Sequence, residues 1–185
     1  MDKVAIFIDG GYLEKILKNE FGQPRIDFGK LSQRMAEKTS AGSEIIRTYY
    51  YNCPPYQGNP PSREESERYG RKAAFFDGLR RIPRYEVRLG TLSRRGPDSK
   101  GQYNYEQKMV DVLLSIDLVR LSSKSRISNA AILAGDGDFA PAFRAAKEEA
   151  VVVTLFHGEH RHRQLWEAAD ERIRIDQPFI DSILL

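Results

Sequence analysis

The sequence predicts an α/β protein, a three-layer α/β/α sandwich around a mostly parallel sheet of five to six strands. Short apolar runs such as VAIFI (Val4 to Ile8), AAILA (Ala130 to Ala134) and VVVTLF (Val151 to Phe156) are near-continuous and do not alternate, as strands covered on both faces read. Stretches with helical apolar spacing separate them, and that alternation of element types argues helices packed on a parallel sheet. The 185 residues suit one full core and would be cramped for two, so residues 1–185 are expected to form one domain.

The elements follow in order. Val4 to Asp9 reads as a buried strand stopped by Asp9-Gly10-Gly11. A helix is expected from about Tyr12 to Phe21, with Leu13, Ile16, Leu17 and Phe21 on one face, and Gly22 to Pro24 break it. Asp27 opens a second helix carrying Phe28, Leu31 and Met35. Glu44 to Asn52 (EIIRTYYYN) is rich in β-branched and aromatic residues and reads as strand two. After a Pro/Gly loop over Cys53 to Pro61, Ser62 and Glu65 resemble a capping box for a helix running to about Arg81.

Tyr85 to Leu92 is expected as strand three, and Arg94 to Gln102 (RRGPDSKGQ) as a polar, breaker-rich, mobile loop. From Tyr105 to Leu121 the positions Met109, Val112, Leu113, Ile116 and Val119 follow a helical period, which predicts a long, largely buried helix. Asn129 to Ala134 is strand four. Gly135-Asp136-Gly137-Asp138 turns into a helix through Phe139 to Ala150, with Pro141 tolerated in the first turn. Val151 to Phe156 is strand five, a short helix covers about Arg163 to Ala169, and Arg172 to Ile175 is a candidate sixth strand.

Composition bounds the function. Charged residues make up 30% and the apolar set 41%, which excludes collagen-like, coiled-coil and wholly disordered chains. No apolar run approaches the roughly 18 residues of a membrane span, and MDKVAIFIDG does not read as a signal peptide. Cys53 alone can form no internal disulfide, so the cytoplasm is the expected compartment. Within a net charge of +3, residues 79–101 concentrate Arg80, Arg81, Arg84, Arg88, Arg94, Arg95 and Lys100 against Glu86 and Asp98. With Tyr85, Tyr103 and Tyr105 nearby, that segment suits a polyanion as well as it suits a solvated face.

In a doubly wound sheet, functional groups gather beyond the carboxyl ends of the strands where the strand order reverses. Asp9 ends strand one and Asp136 ends strand four, each followed by Gly, so neighbouring strands would aim both into one crevice. Asp138 begins the next helix, where a plain first-turn acid is the competing reading. Asp111 lies among Met109, Val110, Val112, Leu113 and Leu114, and a charge there needs a cation or a partner, with Lys108 three residues earlier the structural candidate. Asp117, six residues on, is about 240° round the helix and roughly 9 Å along it, which makes it mainly structural and only an outer candidate for the site. Converging carboxylates without Cys or His suit a hard divalent cation, Mg²⁺ or Mn²⁺, able to activate water against a phosphodiester.

At these residues FIDGGYL (Phe7 to Leu13), KMVDVLLSIDL (Lys108 to Leu118) and ILAGDGDF (Ile132 to Phe139) the chain resembles the NYN domains, in the LabA-like branch of the PIN-like nuclease superfamily. The resemblance implies a PIN-like, Rossmann-like fold and a metal-dependent ribonuclease in which Asp9, Asp111, Asp136 and Asp138 are the catalytic, metal-holding acids. Tyr12 stands where many NYN members have Asn. The Arg-rich segment and Lys108 are the expected contacts to RNA, single-stranded or structured. A homodimer is admitted, and no membrane contact or organic cofactor is expected.

Competing constellations are weaker. His157, His160 and His162 beside Arg161 and Arg163 lack the spacing of a zinc motif and read as a phosphate-contacting or solvated turn. Tyr49, Tyr50 and Tyr51 suit core packing better than base stacking, and Cys53 reads as structural. A haloacid-dehalogenase-type phosphatase fails at Gly11, where that chemistry needs a second Asp. The main alternative to the nuclease is an RNA-binding or regulatory module of the same fold without useful turnover.

Overall fold

A computed structural model describes residues 2–97, 101 and 103–185. Along the chain run β1 (Lys3–Asp9), α1 (Gly10–Glu20), α2 (Phe28–Thr39), β2 (Glu44–Asn52), α3 (Arg63–Arg80), β3 (Tyr85–Leu89), β4 (Thr91–Pro97), β5 (Tyr103–Lys108), α4 (Val110–Ser123), β6 (Asn129–Leu133), α5 (Ala140–Glu148), β7 (Val152–His157), α6 (Arg163–Ala168), β8 (Glu171–Arg174) and α7 (Gln177–Asp181). Six strands form one parallel sheet in the order β3-β2-β1-β6-β7-β8, while β4 and β5 make a separate antiparallel ribbon.

The period-two geometry of a strand divides the core between two faces. Ala5 and Phe7 of β1, Tyr49 and Tyr51 of β2, and Ala130 and Ile132 of β6 pack with residues of α4, α5 and α6. Val4, Ile6 and Ile8, with Tyr50, Ala131 and Leu133, pack on the other side with residues of α1, α2, α3 and α7. Both faces of β1 are therefore dry, which is why its sequence reads as an unbroken apolar run. The α/β/α layering and the mostly parallel sheet agree with the sequence expectation.

Local chemistry sets the helix starts. Asp9 and Asp27 accept a hydrogen bond from the backbone three residues on, and Ser62 with Glu65 forms the expected capping box. Pro141 sits in the first turn of α5, where its missing N–H costs no helical bond. Among the described residues no helix is long and apolar enough to cross a membrane.

Three expectations change. Strand three ends at Leu89, and after Gly90 the chain enters the β4–β5 ribbon, so much of the expected loop 94–102 is strand. Residues 98–100 and 102 of that loop lie outside the described residues. The helix expected from Tyr105 begins only at Val110, because Met109 adopts a left-handed backbone (φ 75°) that breaks strand from helix. The buried side of α4 is Val110, Leu114, Asp117, Leu118 and Ser122; Met109, Val112 and Ile116, expected inside, are exposed. All three tyrosines 49–51 are buried, as core packing required, and α7 is an added element.

Candidate functional site

The strand order reverses between β1 and β6: β1 is followed in sequence by β2 on one side, and β6 by β7 on the other. Asp9 is the last residue of β1 and also caps α1, its Oδ1 accepting the Tyr12 N–H at 3.0 Å. It continues the parity of Ala5 and Phe7, the face that α4 covers. Beyond β6, Asp136 caps the 3₁₀ turn Gly137–Phe139 and accepts the Asp138 N–H at 3.0 Å. Asp136 and Asp138 are exposed, and Asp111 sits half-buried in the first turn of α4, an end where helix polarity favours an acid.

Electrostatics tie these acids together. Burial pushes the Asp9 carboxyl up to about 6, and the charge of Asp111 adds to the rise. Burial also raises Asp111, followed by the charges of Asp136 and then Asp138. The structure thus makes Asp111 the hub, within electrostatic reach of Asp9 on one side and of Asp136 and Asp138 on the other. Among the described residues, no three His, Cys, Asp or Glu side chains close round a point where an ion would be held. The donor chemistry is nonetheless all carboxylate oxygen, and Mg²⁺ is commonly held by one or two carboxylates plus waters, so the set fits a hard divalent cation.

The structural reading of Asp111 as half of an ion pair with Lys108 does not hold. Lys108 ends β5 and is not on the helix, and among the described residues Asp111 has no ion-pair partner. Asp117 is the residue that is paired. It is buried, accepts the Tyr51 hydroxyl at 3.0 Å, and lies 3.4 Å from Arg88 and 3.3 Å from Arg120. That network fixes α4 against β2 and β3, a structural role as expected.

The basic segment is not one strip. Because β3 runs parallel to β1, its start lies at the opposite edge from Asp9. Arg80 and Arg81 close α3 there, with Arg80 on Asp77, and Arg84 pairs with Glu44 and donates to Ile45 O. Arg88 is committed to Glu86 and Asp117. Arg94, Arg95 and Lys108 lie on the ribbon that follows the carboxyl end of β3. Lys100 is outside the described residues.

Tyr12 and His162, both noted in the sequence, take roles that their spacing did not announce. The Tyr12 hydroxyl donates to His160 O at 2.5 Å and accepts the Gly158 N–H at 3.0 Å, while its ring lies so close to Gly135 that a Cβ there would overlap it. Tyr12 is therefore a tie from α1 across the end of β6 to the loop after β7. His162 caps α6 and its ring lies against Gly137, so one member of the histidine cluster shapes the acidic turn. His157 is buried, its Nδ1 2.7 Å from Gly158 O, and burial lowers its pKa. Cys53 is a buried free thiol whose pKa burial raises, in keeping with a structural role.

No curated protein sequence matches the chain. Among solved structures, MurG of Acinetobacter baumannii is 9% identical with a TM-score of 0.42, over 94% of this chain and 41% of that one. A protein described as a possible 1-phosphofructokinase from Thermotoga maritima is 10% identical with a TM-score of 0.38, over 92% of this chain and 58% of that one. The chain spans less than two thirds of either protein's length. Residues 3–176, which include every one of these acids, match the family model of the NYN domain. The chain belongs to the NYN domain family, a family of PIN-like nuclease domains.

Proposed function

We propose that the chain is a divalent-metal-dependent ribonuclease of the LabA-like kind, hydrolysing phosphodiester bonds of RNA at the β1/β6 edge. The observation that carries this reading is the gathering of acids at a partly buried edge, where burial first and the Asp111 charge second push Asp9 up to about 6, and burial followed by Asp136 and Asp138 raises Asp111. Carboxylates held together against their own repulsion are stabilised by a cation. Asp9, Asp111 and Asp136 would hold Mg²⁺ or Mn²⁺, and Asp138 would orient the attacking water or a second ion. Bound there, the metal would supply a lowered water pKa and charge neutralisation at the phosphate.

The chain's own groups do the rest. A carboxylate accepts the proton of the water as its oxygen attacks phosphorus, and the P–O bond to the leaving oxygen breaks in line. That oxygen departs with a proton from solvent. Arg94, Arg95 and Lys108 would seat the backbone. The free thiol of Cys53 is compatible with a cytoplasmic setting.

A second reading, an RNA-binding module without turnover, draws on the absence of a closed ion-holding trio among the described residues. Labelled single-stranded RNA incubated with Mn²⁺ or Mg²⁺, with EDTA as control, distinguishes the two. The nuclease reading expects cleavage by the wild type and at least a 100-fold loss in Asp136→Asn. Equal cleavage by both proteins removes Asp136 from the site, and binding without cleavage favours the second reading.

A further inference from the structure

Resting on that nuclease reading, we propose that Tyr56, Arg94, Tyr103 and Tyr105 form a stacking row that holds unpaired bases of the RNA strand beside the acidic edge. Tyr103 and Tyr105 are two apart on β5 and so share a face of the ribbon, and Arg94 of β4 is the register partner of Tyr105 on that same face. The Arg94 guanidinium lies 3.6 Å from the Tyr103 ring centroid and 5.7 Å from that of Tyr56, and Tyr56 and Tyr105 are 5.5 Å apart. Four flat groups from the ribbon and from the loop after β2 thus follow one another as neighbours, Tyr103 to Arg94 to Tyr56 to Tyr105, with the last two rings tilted 45° to each other.

Nothing in the core accounts for them. Tyr103 and Tyr105 are 47% and 46% exposed, whereas the tyrosines of β2 are buried. A structural tyrosine usually hides its ring, and a guanidinium held over an aromatic face is a surface that a base can extend. The ribbon also carries Arg94, Arg95 and Lys108 against one acid, Glu106, a balance that suits a polyanion.

The row adjoins the acids. At the root of the ribbon, Gly90 lies against Lys108 O, Val110 and the Cys53 sulfur, and Val110 precedes Asp111. Cys53 in turn lies within electrostatic reach of Asp111 and Asp9. A strand whose phosphate reached the carboxylates would pass the ribbon within a few nucleotides. Aromatic stacking tolerates any base, so the row would favour unpaired strands over duplexes with little sequence preference.

The test is an anisotropy titration of labelled oligouridylate, and of an equally long strand of abasic ribose phosphates, at low salt with EDTA. Mn²⁺-dependent cleavage by the wild type is measured alongside. The wild type is expected to bind the base-bearing strand about 10-fold or more tighter. Tyr105→Leu, and independently Tyr103→Leu, should erase most of that preference while leaving the abasic strand unaffected. Arg94→Gln should weaken both strands, having removed a stacking plane and a charge. Two separate tyrosine variants keep the result readable if one fails to fold. Equal wild-type affinity for the two strands, or a preference that survives both tyrosine variants, overturns the row even where cleavage stands. Binding to neither strand overturns it as well, and loss of cleavage alone speaks against the nuclease reading and not against the row.

Discussion

In metal-free protein at pH 7.5, Asp9→Asn is expected to raise stability. Burial and the Asp111 charge lift the Asp9 carboxyl from 3.8 to about 6. The folded state therefore keeps a proton that the unfolded chain gives up near pH 4. Between about pH 4 and pH 6 the native protein binds more protons, so its stability falls as pH rises, and above pH 6 the full cost is present. Two pKa units at 1.36 kcal/mol each set that cost at about 3 kcal/mol, an upper figure because Asp9 still reaches solvent on one side. The amide conserves what the carboxylate does locally, since Asn caps a helix as well as Asp and can still accept the Tyr12 N–H. For a chain of this length, up to about 3 kcal/mol corresponds to roughly 6–12 °C in Tm. Melts of both proteins in EDTA at pH 4.5 and 7.5 should separate about a third as far at the lower pH as at the higher, because pH 4.5 already lies above the unfolded pKa of 3.8. The difference between the two is the quantity to read, because buried His157 titrates in the opposite sense: its lowered pKa weakens the fold as pH drops below the ordinary 6.5. A variant no more stable than wild type at pH 7.5, with the same pH slope, would refute a charge held at Asp9 against burial.

Two further perturbations probe the supports of the site. Asp117→Ala leaves the buried Tyr51 hydroxyl without its acceptor, takes the Asp117 carboxylate from Arg120 and leaves Arg88 with Glu86, and should cost about 1–3 kcal/mol in denaturant melts; a neutral outcome would show that the network adds nothing to α4 packing. Tyr12→Phe keeps the ring against Gly135 but loses both hydroxyl bonds, so a cost of about 1 kcal/mol and faster amide exchange at Gly158 are expected. Unchanged exchange at Gly158 would mean that Tyr12 does not tie the loop.

What the sequence made legible is what local chemistry determines. The unbroken apolar runs announced β1, β6 and β7 because both faces of those strands are covered, and the Ser62–Glu65 spacing announced α3. Asp9 and Asp136 were readable as strand-end acids because Gly follows each. The β4–β5 ribbon was not legible: Tyr105 and Met109 are four apart and extend the helical period backwards, and a left-handed Met109 is a conformation that no propensity announces. The side of α4 that faces inward was misread because apolar residues lie all round it, and Asp117, a charge, belongs inside through its pairing with Tyr51 and two arginines. The arginines of 80–95 are neighbours in sequence, yet a five-residue parallel strand carries Arg84 and Arg94 to opposite ends of the sheet.

The position of β1 sets the stiffness of whatever is attached to it. Its backbone is hydrogen-bonded to β2 on one side and β6 on the other, so its amides can exchange only when the centre of the sheet comes apart. The β4–β5 ribbon forms no part of that sheet and is tied at its root by the Cys53 thiol to Thr91 O, and two-stranded ribbons open at far lower cost. The carboxylate at Asp9 is thus carried on an unyielding mount while the arginines and exposed tyrosines are carried on a compliant one. On the nuclease reading, a polymer of variable shape would be accommodated by movement of the ribbon without disturbing the spacing at the end of β1, which would separate tolerance for the strand from fidelity at the bond.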